Sequence, residues 1–342
     1  MLITYIRSSS YNNYDYCQMQ YFISYVLGHQ SDSGKRAEIG TIIHKVFETL
    51  ARLKKEFQNK KKNQKYLKIN DDTLGDYQIE KEDLLSDKII QDILNKSYES
   101  YTSRSKHHWI PSDKKECERL IQSTLLFNKG QFDPRNRNII DPEPHFDIPI
   151  EEDWAKFKYQ LPDGQLIDGI LAIKGTIDLV TKVSDDTIEV IDWKTGRRLD
   201  WATGEEKDDK KLAKDAQLLL YNYAISKLYP DYKQAIMTIY FIKDGGPFSM
   251  CFDKSDQDNF LQMLKKRFKE IQANNKPIPV SPQRDNWKCS KLCHFYKNNW
   301  PGTQKNMCIY IEEHLKNHGM EATLKNCTRE GFNIGYYCSP GS

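Results

Sequence analysis

The chain of 342 residues has no long hydrophobic run, since no stretch approaches the roughly 18 consecutive apolar residues that a membrane-spanning helix needs. Its amino terminus also lacks a charged segment followed by an apolar core and a small-residue cleavage site. No internal repeat and no long low-complexity tract is present. These absences predict a soluble, cytoplasmic protein without a membrane partner.

A marked excess of charge of one sign is missing as well. The 51 Lys and Arg residues nearly balance the 48 Asp and Glu residues, which leaves a formal net charge of +3. Global electrostatics therefore do not require a polyanionic partner, and any nucleic-acid site must be local. The apolar fraction of 38% is sufficient for a buried core, and we expect a single domain over residues 1–342.

The spacing of apolar residues divides the chain into a helical first half and a mixed second half. A helix is predicted over 40–53, and helical patterns continue over 71–130, so we expect a helical insertion at 54–130. A segment rich in Asp, Pro and Asn at 133–149 breaks this pattern and marks the start of a sheet.

Beyond this break, strands are predicted over 170–183 and 187–192, and the turn-like sequence between them indicates an antiparallel hairpin. A helix over 211–228, a strand over 235–242 and a helix over 256–273 complete the predicted order.

Two charged residues lie at the end of the second predicted strand. Strand alternation places Asp192 and Lys194 on one face and Trp193 on the other. The carboxylate could hold a divalent cation, and the ammonium could stabilise charge that grows on a phosphoryl oxygen. An Asp-x-Lys triplet also arises by chance in a chain rich in both residues, so the motif needs support from elsewhere.

Other polar residues offer that support. Asp178 lies in an otherwise apolar strand, where a carboxylate requires a partner such as a metal shared with Asp192. His44 could supply a neutral imidazole ligand, although a lone helical histidine is more often a boundary residue. Gln217 and Tyr221 share a helix face and could contact a phosphate or stack on a base, or could form an ordinary amphipathic boundary.

Taken in order, four motifs resemble the PD-(D/E)XK nuclease superfamily, and specifically its RecB-like branch. They are Gly-x-x-x-His at 40–44, Gly-Thr-Ile-Asp at 175–178, Asp-Trp-Lys-Thr-Gly at 192–196 and Gln-x-x-x-Tyr at 217–221. The resemblance implies an α/β fold with a restriction-endonuclease-like core, in which helices flank a central mixed sheet.

The resemblance also implies an activity, that of a deoxyribonuclease dependent on Mg²⁺ or Mn²⁺. In this family the histidine and two acids bind the cation, the lysine is catalytic, and the Gln and Tyr assist DNA binding. These roles map onto His44, Asp178 and Asp192 as metal ligands, Lys194 as catalytic residue, and Gln217 and Tyr221 as DNA-binding residues.

Eight cysteines in a chain without a secretory signal favour metal ligation or burial over disulfides. One cysteine near the amino terminus and three after the nuclease core resemble the [4Fe–4S] arrangement of some RecB-like nucleases, including the AddB type and the CRISPR-adaptation exonucleases. The alternative is a zinc site that uses the three later cysteines together with either Cys17 or His294. The predicted cluster ligands are Cys17, Cys289, Cys293 and Cys308, which would form a metal-binding closure between residue 17 and region 281–310.

The remaining cysteines are expected to be buried or idle thiols. They are Cys117, Cys251, Cys327 and Cys338.

Two functional hypotheses follow from these residues. The first is an enzyme that cleaves DNA, as an exonuclease that prefers single-stranded ends or as a structure-directed endonuclease. The second is a nucleic-acid-binding module on a nuclease scaffold, with a lysine run as a phosphate-contacting arm, although such a run is more often a solvated face. Four intact charged positions favour the enzyme, because buried charges are costly to retain without a function. The run comprises Lys54, Lys55, Lys60, Lys61, Lys62 and Lys65.

Overall fold

The computed structural model describes residues 1–59, 65–199, 205–244 and 246–332. Helices and strands alternate along these ranges, and no helix in them is long and apolar enough to cross a membrane. The helices are α1 (Ser8–Tyr16), α2 (Gln18–Tyr21), α3 (Lys35–Asn59), α4 (Asp87–Arg104), α5 (Pro111–Leu126), α6 (Asp209–Leu212), α7 (Ala216–Leu228), α8 (Lys254–Ala273), α9 (His294–Lys297) and α10 (Met307–Cys327).

The strands belong to two sheets and two hairpins. They are β1 (Tyr5–Ile6), β2 (Tyr66–Asp71), β3 (Gly75–Glu80), β4 (Ile139–Pro142), β5 (His145–Pro149), β6 (Lys156–Gln160), β7 (Leu166–Ile170), β8 (Ala172–Thr176), β9 (Leu179–Lys182), β10 (Thr187–Lys194), β11 (Gln234–Phe241) and β12 (Gly246–Cys251).

A five-stranded sheet forms the centre of the fold, in the order β12-β11-β10-β9-β4. Its middle strand β10 runs parallel to β11 and antiparallel to β9. The sheet is therefore mixed, as expected, and the hairpin predicted around residues 184–186 is confirmed by the pairing of Ile188 with Lys182. Parallel neighbours require a crossover, which α7 provides between β10 and β11.

The single strand predicted over 170–183 is wrong, because the chain changes sheets within it. β8 joins a three-stranded sheet of order β1-β8-β5, whereas β9 joins the central sheet. The alternation of apolar residues continues across the break, so the sequence pattern gives no sign of it. Ile177 and Asp178 lie at the change and therefore sit where the two sheets meet.

Within the range 54–130, where we expected a helical insertion, α4 and α5 are helices but the segment before them contains two strands. Strands β2 and β3 form an antiparallel hairpin, in which Leu67 and Ile69 are buried while their neighbours are exposed. This period-2 alternation is short, and the polar residues between the apolar ones make it easy to include in a helical window.

Helices cover both faces of the central sheet. Ile188 and Val190 of β10 pack in a core with α7 and α8, whereas Ile191 and Trp193 pack in a second core with α3, α4 and α5. Trp193 is fully buried, and its ring centroid lies 4.8 Å from that of Phe47 on α3. This arrangement fixes the end of β10 between α3 on one face and α7 on the other.

Candidate active site

The last residues of β10 bring the predicted carboxylate and ammonium together. The Asp192 side chain is 2% exposed and the Lys194 side chain 33% exposed, and Lys194 Nζ lies 2.7 Å from Asp192 Oδ2. Both side chains point to the same face because they are two residues apart on a strand. An ion pair therefore lies at the strand end, where its lysine reaches solvent.

Asp178 lies beside this pair, at the point where the chain changes sheets. Its Oδ2 accepts a hydrogen bond of 2.8 Å from the backbone N–H of Trp193, and its Oδ1 lies 3.2 Å from His44 Nδ1. The structure thus brings together His44, Asp178, Asp192 and Lys194, as the sequence predicted.

Helix α3 approaches the strand end through a glycine. A Cβ added at Gly40 would lie 2.7 Å from Oγ1 of Thr195, which follows β10. A residue with a side chain would have to displace this threonine, so the glycine sets the close approach of the helix. His44, one turn later on the same face, consequently reaches Asp178.

Helix α7 holds the carboxylate of Asp192 from the opposite face. Gln217 Nε2 donates to Asp192 Oδ1 at 3.0 Å and to the Tyr221 hydroxyl at 2.8 Å. The same hydroxyl donates to the carbonyl oxygen of Thr176 at 2.8 Å. The tyrosine residue is 4% exposed, and both of these hydroxyl contacts lie within the protein. Its contacts indicate that it positions Asp192.

An acidic residue that we did not single out from the sequence starts α7. Asp215 is the N-cap and accepts a hydrogen bond from the Gln217 backbone N–H at 2.9 Å, while its carboxylate lies 2.6 Å from Lys207 Nζ. Aspartate directly before an apolar helical run is a recognisable N-cap pattern. The cap fixes the first turn of the helix and so the position of Gln217.

Glu143 is a second residue near the site that the sequence analysis did not identify. Its backbone N–H donates to the carbonyl oxygen of Asp178 at 3.1 Å. Burial, followed by the charge of Glu48, raises the pKa of Glu143 to about 7. Glu48 itself pairs with Arg52 and Lys45 on α3, so these carboxylates form a charged network behind His44.

The charges of the four central groups depend on one another. Burial raises the pKa of Asp192 to about 6, against the opposing effect of Lys194. Asp178 is affected differently: burial works to raise its pKa, but His44, Lys194 and the Trp193 N–H outweigh burial and lower the pKa. Burial likewise opposes the charge on His44 and Lys194, yet the two carboxylates raise both pKa values. Lys194 is therefore an ammonium at neutral pH.

Two carboxylates and an imidazole form a donor set that suits Mg²⁺ or Mn²⁺. Among the described residues, Asp192 Oδ2 has no donor with hydrogen-bond geometry, although Lys194 Nζ is its ion-pair partner. A buried carboxylate oxygen of this kind fits a cation ligand. The carboxylates face their protein partners, and no group of three or more His, Cys, Asp or Glu side chains in the described ranges is arranged to hold a metal ion.

The lysine run is only partly described, because Lys60, Lys61 and Lys62 lie outside the described residues. Lys55 Nζ donates to the carbonyl oxygen of Ile140, and Lys65 Nζ lies 3.1 Å from Glu80 Oε1. These contacts within the protein favour the interpretation of the run as an ordinary surface over that of a phosphate-contacting arm.

The four cysteines predicted as cluster ligands gather at one place. All of them line a single small cavity between the amino-terminal helices and the segment that carries α9. Burial raises the pKa of Cys289, Cys293 and Cys308, the last to about 12. The buried guanidinium of Arg284 donates to Cys308 Sγ at 3.6 Å. The described cysteines form no disulfide, and they too are not arranged as metal ligands in this structure.

The other cysteines differ in environment. Cys117 and Cys327 are buried, as expected, and Cys251 is exposed. Cys338 lies outside the described residues. His294 is the alternative zinc ligand. Its Nδ1 lies 3.3 Å from the backbone nitrogen of Asp32 and accepts a hydrogen bond from that N–H.

Comparisons with known proteins give one extensive match. A family model of the PD-(D/E)XK nuclease superfamily matches residues 8–297. None of the curated proteins matches the sequence. A crystal structure from Eubacterium rectale, described as a "Putative exonuclease", has 9% sequence identity and a TM-score of 0.45, and the match covers 93% of this chain and 94% of that chain. The family match spans all four motifs.

Proposed function

Because the matched residues span most of the chain, the protein belongs to the PD-(D/E)XK nuclease superfamily, and we propose that it hydrolyses phosphodiester bonds in DNA with Mg²⁺ or Mn²⁺. We assign it to the RecB-like branch on its four motifs. One observation carries the proposal: His44, Asp178 and the Asp192–Lys194 pair come from separate parts of the sequence and meet at the end of β10.

The proposed roles follow from the contacts of each side chain. Asp178 and Asp192, with His44, would hold the cation, which when bound supplies an activated water and neutralises charge on the phosphoryl group. Lys194 is protonated at neutral pH and reaches solvent, so it stabilises the negative charge that develops on a phosphate oxygen. Deprotonation of Asp192 must precede its role as a ligand, so activity should fall below about pH 6.

Gln217 and Tyr221 act on the reaction through Asp192. The amide of Gln217 holds one carboxylate oxygen, and the tyrosine hydroxyl lies 3.4 Å from the same oxygen. A carboxylate fixed in this way keeps its second oxygen directed at Lys194 and the space beside it. Positioning by neighbouring hydrogen bonds is a common requirement for metal ligands.

We further propose that the enzyme is an exonuclease that prefers single-stranded ends. The segment between α4 and α5 and the first turn of α5 pack near the start of α3. His107 Nε2 lies 2.8 Å from the Ser33 carbonyl oxygen, and Asp113 of α5 pairs with Lys35 at 2.6 Å. The insertion therefore borders the helix that carries His44. A border of this kind favours a strand that enters by its end over a duplex laid in sideways.

End-labelled linear and circular DNA, single- and double-stranded, tests the proposal in Mg²⁺ and in Mn²⁺. We expect linear single strands to be shortened while circular single strands resist, and Lys194→Ala to be inactive on all substrates. Rapid cutting of closed circles would indicate an endonuclease instead. Tight DNA binding without cleavage of any substrate would favour the binding-module hypothesis.

We also propose that Cys17, Cys289, Cys293 and Cys308 hold a [4Fe–4S] cluster, with zinc as the alternative. Support comes from their convergence on one cavity and from Arg284, a buried guanidinium that pairs with Glu312 and also donates to Cys308 Sγ. This donor would stabilise a metal-bound thiolate. Such a site would join residue 17 to the segment after α8, so its role would be structural.

A further inference from the structure

An open cavity of about 660 Å³ lies beside the active site. It lies between the start of α1, strands β5 and β8, and helix α7. Its lining includes Gly175 and Thr176 of the second motif and Tyr221 of the fourth, but none of the proposed metal ligands and not Lys194. The side chains that define this basic groove are Arg7, Ser9, His145, Asp147, Lys174 and Tyr221.

The groove adjoins the catalytic residues, with Tyr221 between the two. Tyr221 lines it and also contacts the Asp192 carboxylate, with 3.4 Å between the hydroxyl and Oδ1. Thr176 lines it too, and Asp178 follows two residues later. A DNA strand with one phosphate at Lys194 would therefore have neighbouring nucleotides beside this groove.

The charges that line the groove are mainly positive. Lys174 Nζ pairs with Asp147 Oδ2 at 2.6 Å, which leaves Arg7 as an uncompensated cation. The Arg7 guanidinium lies 5.6 Å from the centroid of the Tyr5 ring, and no carboxylate among the described residues forms an ion pair with it. His145 holds Thr176 Oγ1 at 2.7 Å through Nδ1. Arg, Lys, His and Ser side chains are donors that recognise phosphate oxygens.

The wall of the groove includes a glycine that lets the Phe146 ring pack closely against it. Gly175 forms part of its wall, and a Cβ there would lie 2.5 Å from Phe146 Cζ. Phe146 and Tyr221 are almost completely buried, so aromatic faces are not offered for base stacking. The wall thus suits phosphate and sugar rather than bases.

We propose that the basic groove binds a phosphate group of the DNA strand a short distance from the phosphate that is cleaved, with Arg7 and Lys174 as its main contacts. The inference rests on the proposed nuclease function and specifies where its substrate lies. The phosphate belongs either to the backbone of the strand or to its end, since both present the same oxygens to these cations.

The experiment measures binding without cleavage. A fluorescein-labelled oligothymidylate is titrated by anisotropy in EDTA, at several salt concentrations, with oligonucleotides that carry a 5′ phosphate, a 3′ phosphate or neither. We expect Arg7→Ala and Lys174→Ala each to weaken binding about 5- to 20-fold and to reduce the salt slope by about one. Lys158→Ala, which removes an exposed lysine of the β6 hairpin, is the matched control and should bind as the wild type does.

The arms of the experiment separate the two sources of phosphate. A loss that is equal for all three oligonucleotides supports a backbone phosphate, whereas a loss seen only with one phosphorylated end supports a terminal phosphate. Asp147→Asn should tighten binding about 2- to 5-fold, because it removes the carboxylate that neutralises Lys174. This variant keeps the test valid even if Lys174→Ala folds poorly.

Arg7 and Lys174 variants that bind like Lys158→Ala, together with an unchanged Asp147→Asn, would overturn the inference. Because the readout is binding in EDTA, this result is distinct from a failure of the nuclease proposal. If the protein binds DNA through Arg7 but cleaves no substrate, the catalytic proposal is refuted and the proposal for the basic groove stands.

Discussion

The two regions that the sequence marks as metal sites differ in what holds them together. In the active site, carboxylates, ammonium and imidazole are paired with one another, and Asp178 also accepts the backbone N–H of Trp193. In the cysteine cavity, burial keeps three of the four thiols protonated, and Arg284 is the cation that contacts one of them. The first site is organised by the protein itself, whereas the second is a group of thiols that a metal would have to complete.

The secondary structure around each site reinforces this difference. Asp192 and Lys194 lie on β10, His44 lies on α3, and Asp178 directly precedes β9. These elements pack in the two cores of the central sheet. Cys289 and Cys293 lie in and beside a single helical turn, Lys288–Leu292, that precedes the short helix α9. Short elements with few partners are stabilised less by their own packing. Loss of metal should therefore abolish activity at the first site and lower the stability of the protein at the second.

The largest effect is expected for Asp192→Ala in the active site. The substitution removes a proposed ligand and the partner of Lys194, so the cleavage rate in saturating Mn²⁺ should fall by about 10³-fold or more. The melting temperature should stay close to that of the wild type, because a buried carboxylate with a raised pKa is also removed. Single-turnover cleavage and thermal melts measure the two quantities. Cleavage at the wild-type rate would refute the active-site assignment.

Cys289→Ala should show the opposite pattern. If the thiols hold a cluster, anaerobically purified wild type is brown and contains iron and sulfide, and the variant loses the colour and about 10 °C of melting temperature. Cys251→Ala, which changes an exposed cysteine, is the matched control and should retain both. Stoichiometric zinc without sulfide would establish the zinc alternative. A wild-type protein that contains no metal and melts at the same temperature as Cys289→Ala would refute the metal site.

The same comparison shows which parts could be predicted from the sequence. Strand alternation placed Asp192 and Lys194 on one face because a period of two is imposed by local backbone geometry. The sheet change at Asp178 was not predictable, since its cause is tertiary: β8 pairs with β1 and β9 pairs with β10. Arg7 and Lys174 could not be predicted as neighbours, because they are distant in the sequence and no periodic sequence pattern links them. The fold brings them together at one cavity.

Tyr221→Phe should have a moderate effect that tests what organises the active site. It removes a hydroxyl that accepts from Gln217 and donates to Thr176, at a cost of about 1 kcal/mol, so we expect kcat to fall about 5- to 10-fold with KM unchanged. Tyr229→Phe, which removes a hydroxyl bound to Asp141 at 3.1 Å, is the matched control. A rise in KM at constant kcat would show that Tyr221 contacts DNA directly instead of positioning Asp192.

The smallest expected effect is a pH dependence of stability that comes from the active-site region alone. Burial and Glu48 raise the pKa of Glu143 from 4.5 to about 7, so folding favours its protonated form. The cost of ionising Glu143 is absent below about pH 4.5 and complete above about pH 7. Cys308, with a pKa of about 12, does not titrate in this interval.

Glu143→Gln replaces the carboxyl by a neutral group that can still donate a hydrogen bond to Glu48. Relative to the wild type, the variant should gain stability as the pH rises from 4.5 to 8, on the order of 1 kcal/mol once solvent screening is allowed for. Urea unfolding of metal-free protein at several pH values measures the gain, with the exposed Glu151→Gln as control. A gain that is the same at all pH values would show that Glu143 is not the titrating group. If Glu143→Gln and Glu151→Gln show the same pH dependence of stability, that dependence originates outside the active-site region. The difference drawn between the charged active site and the thiol cavity would then be refuted.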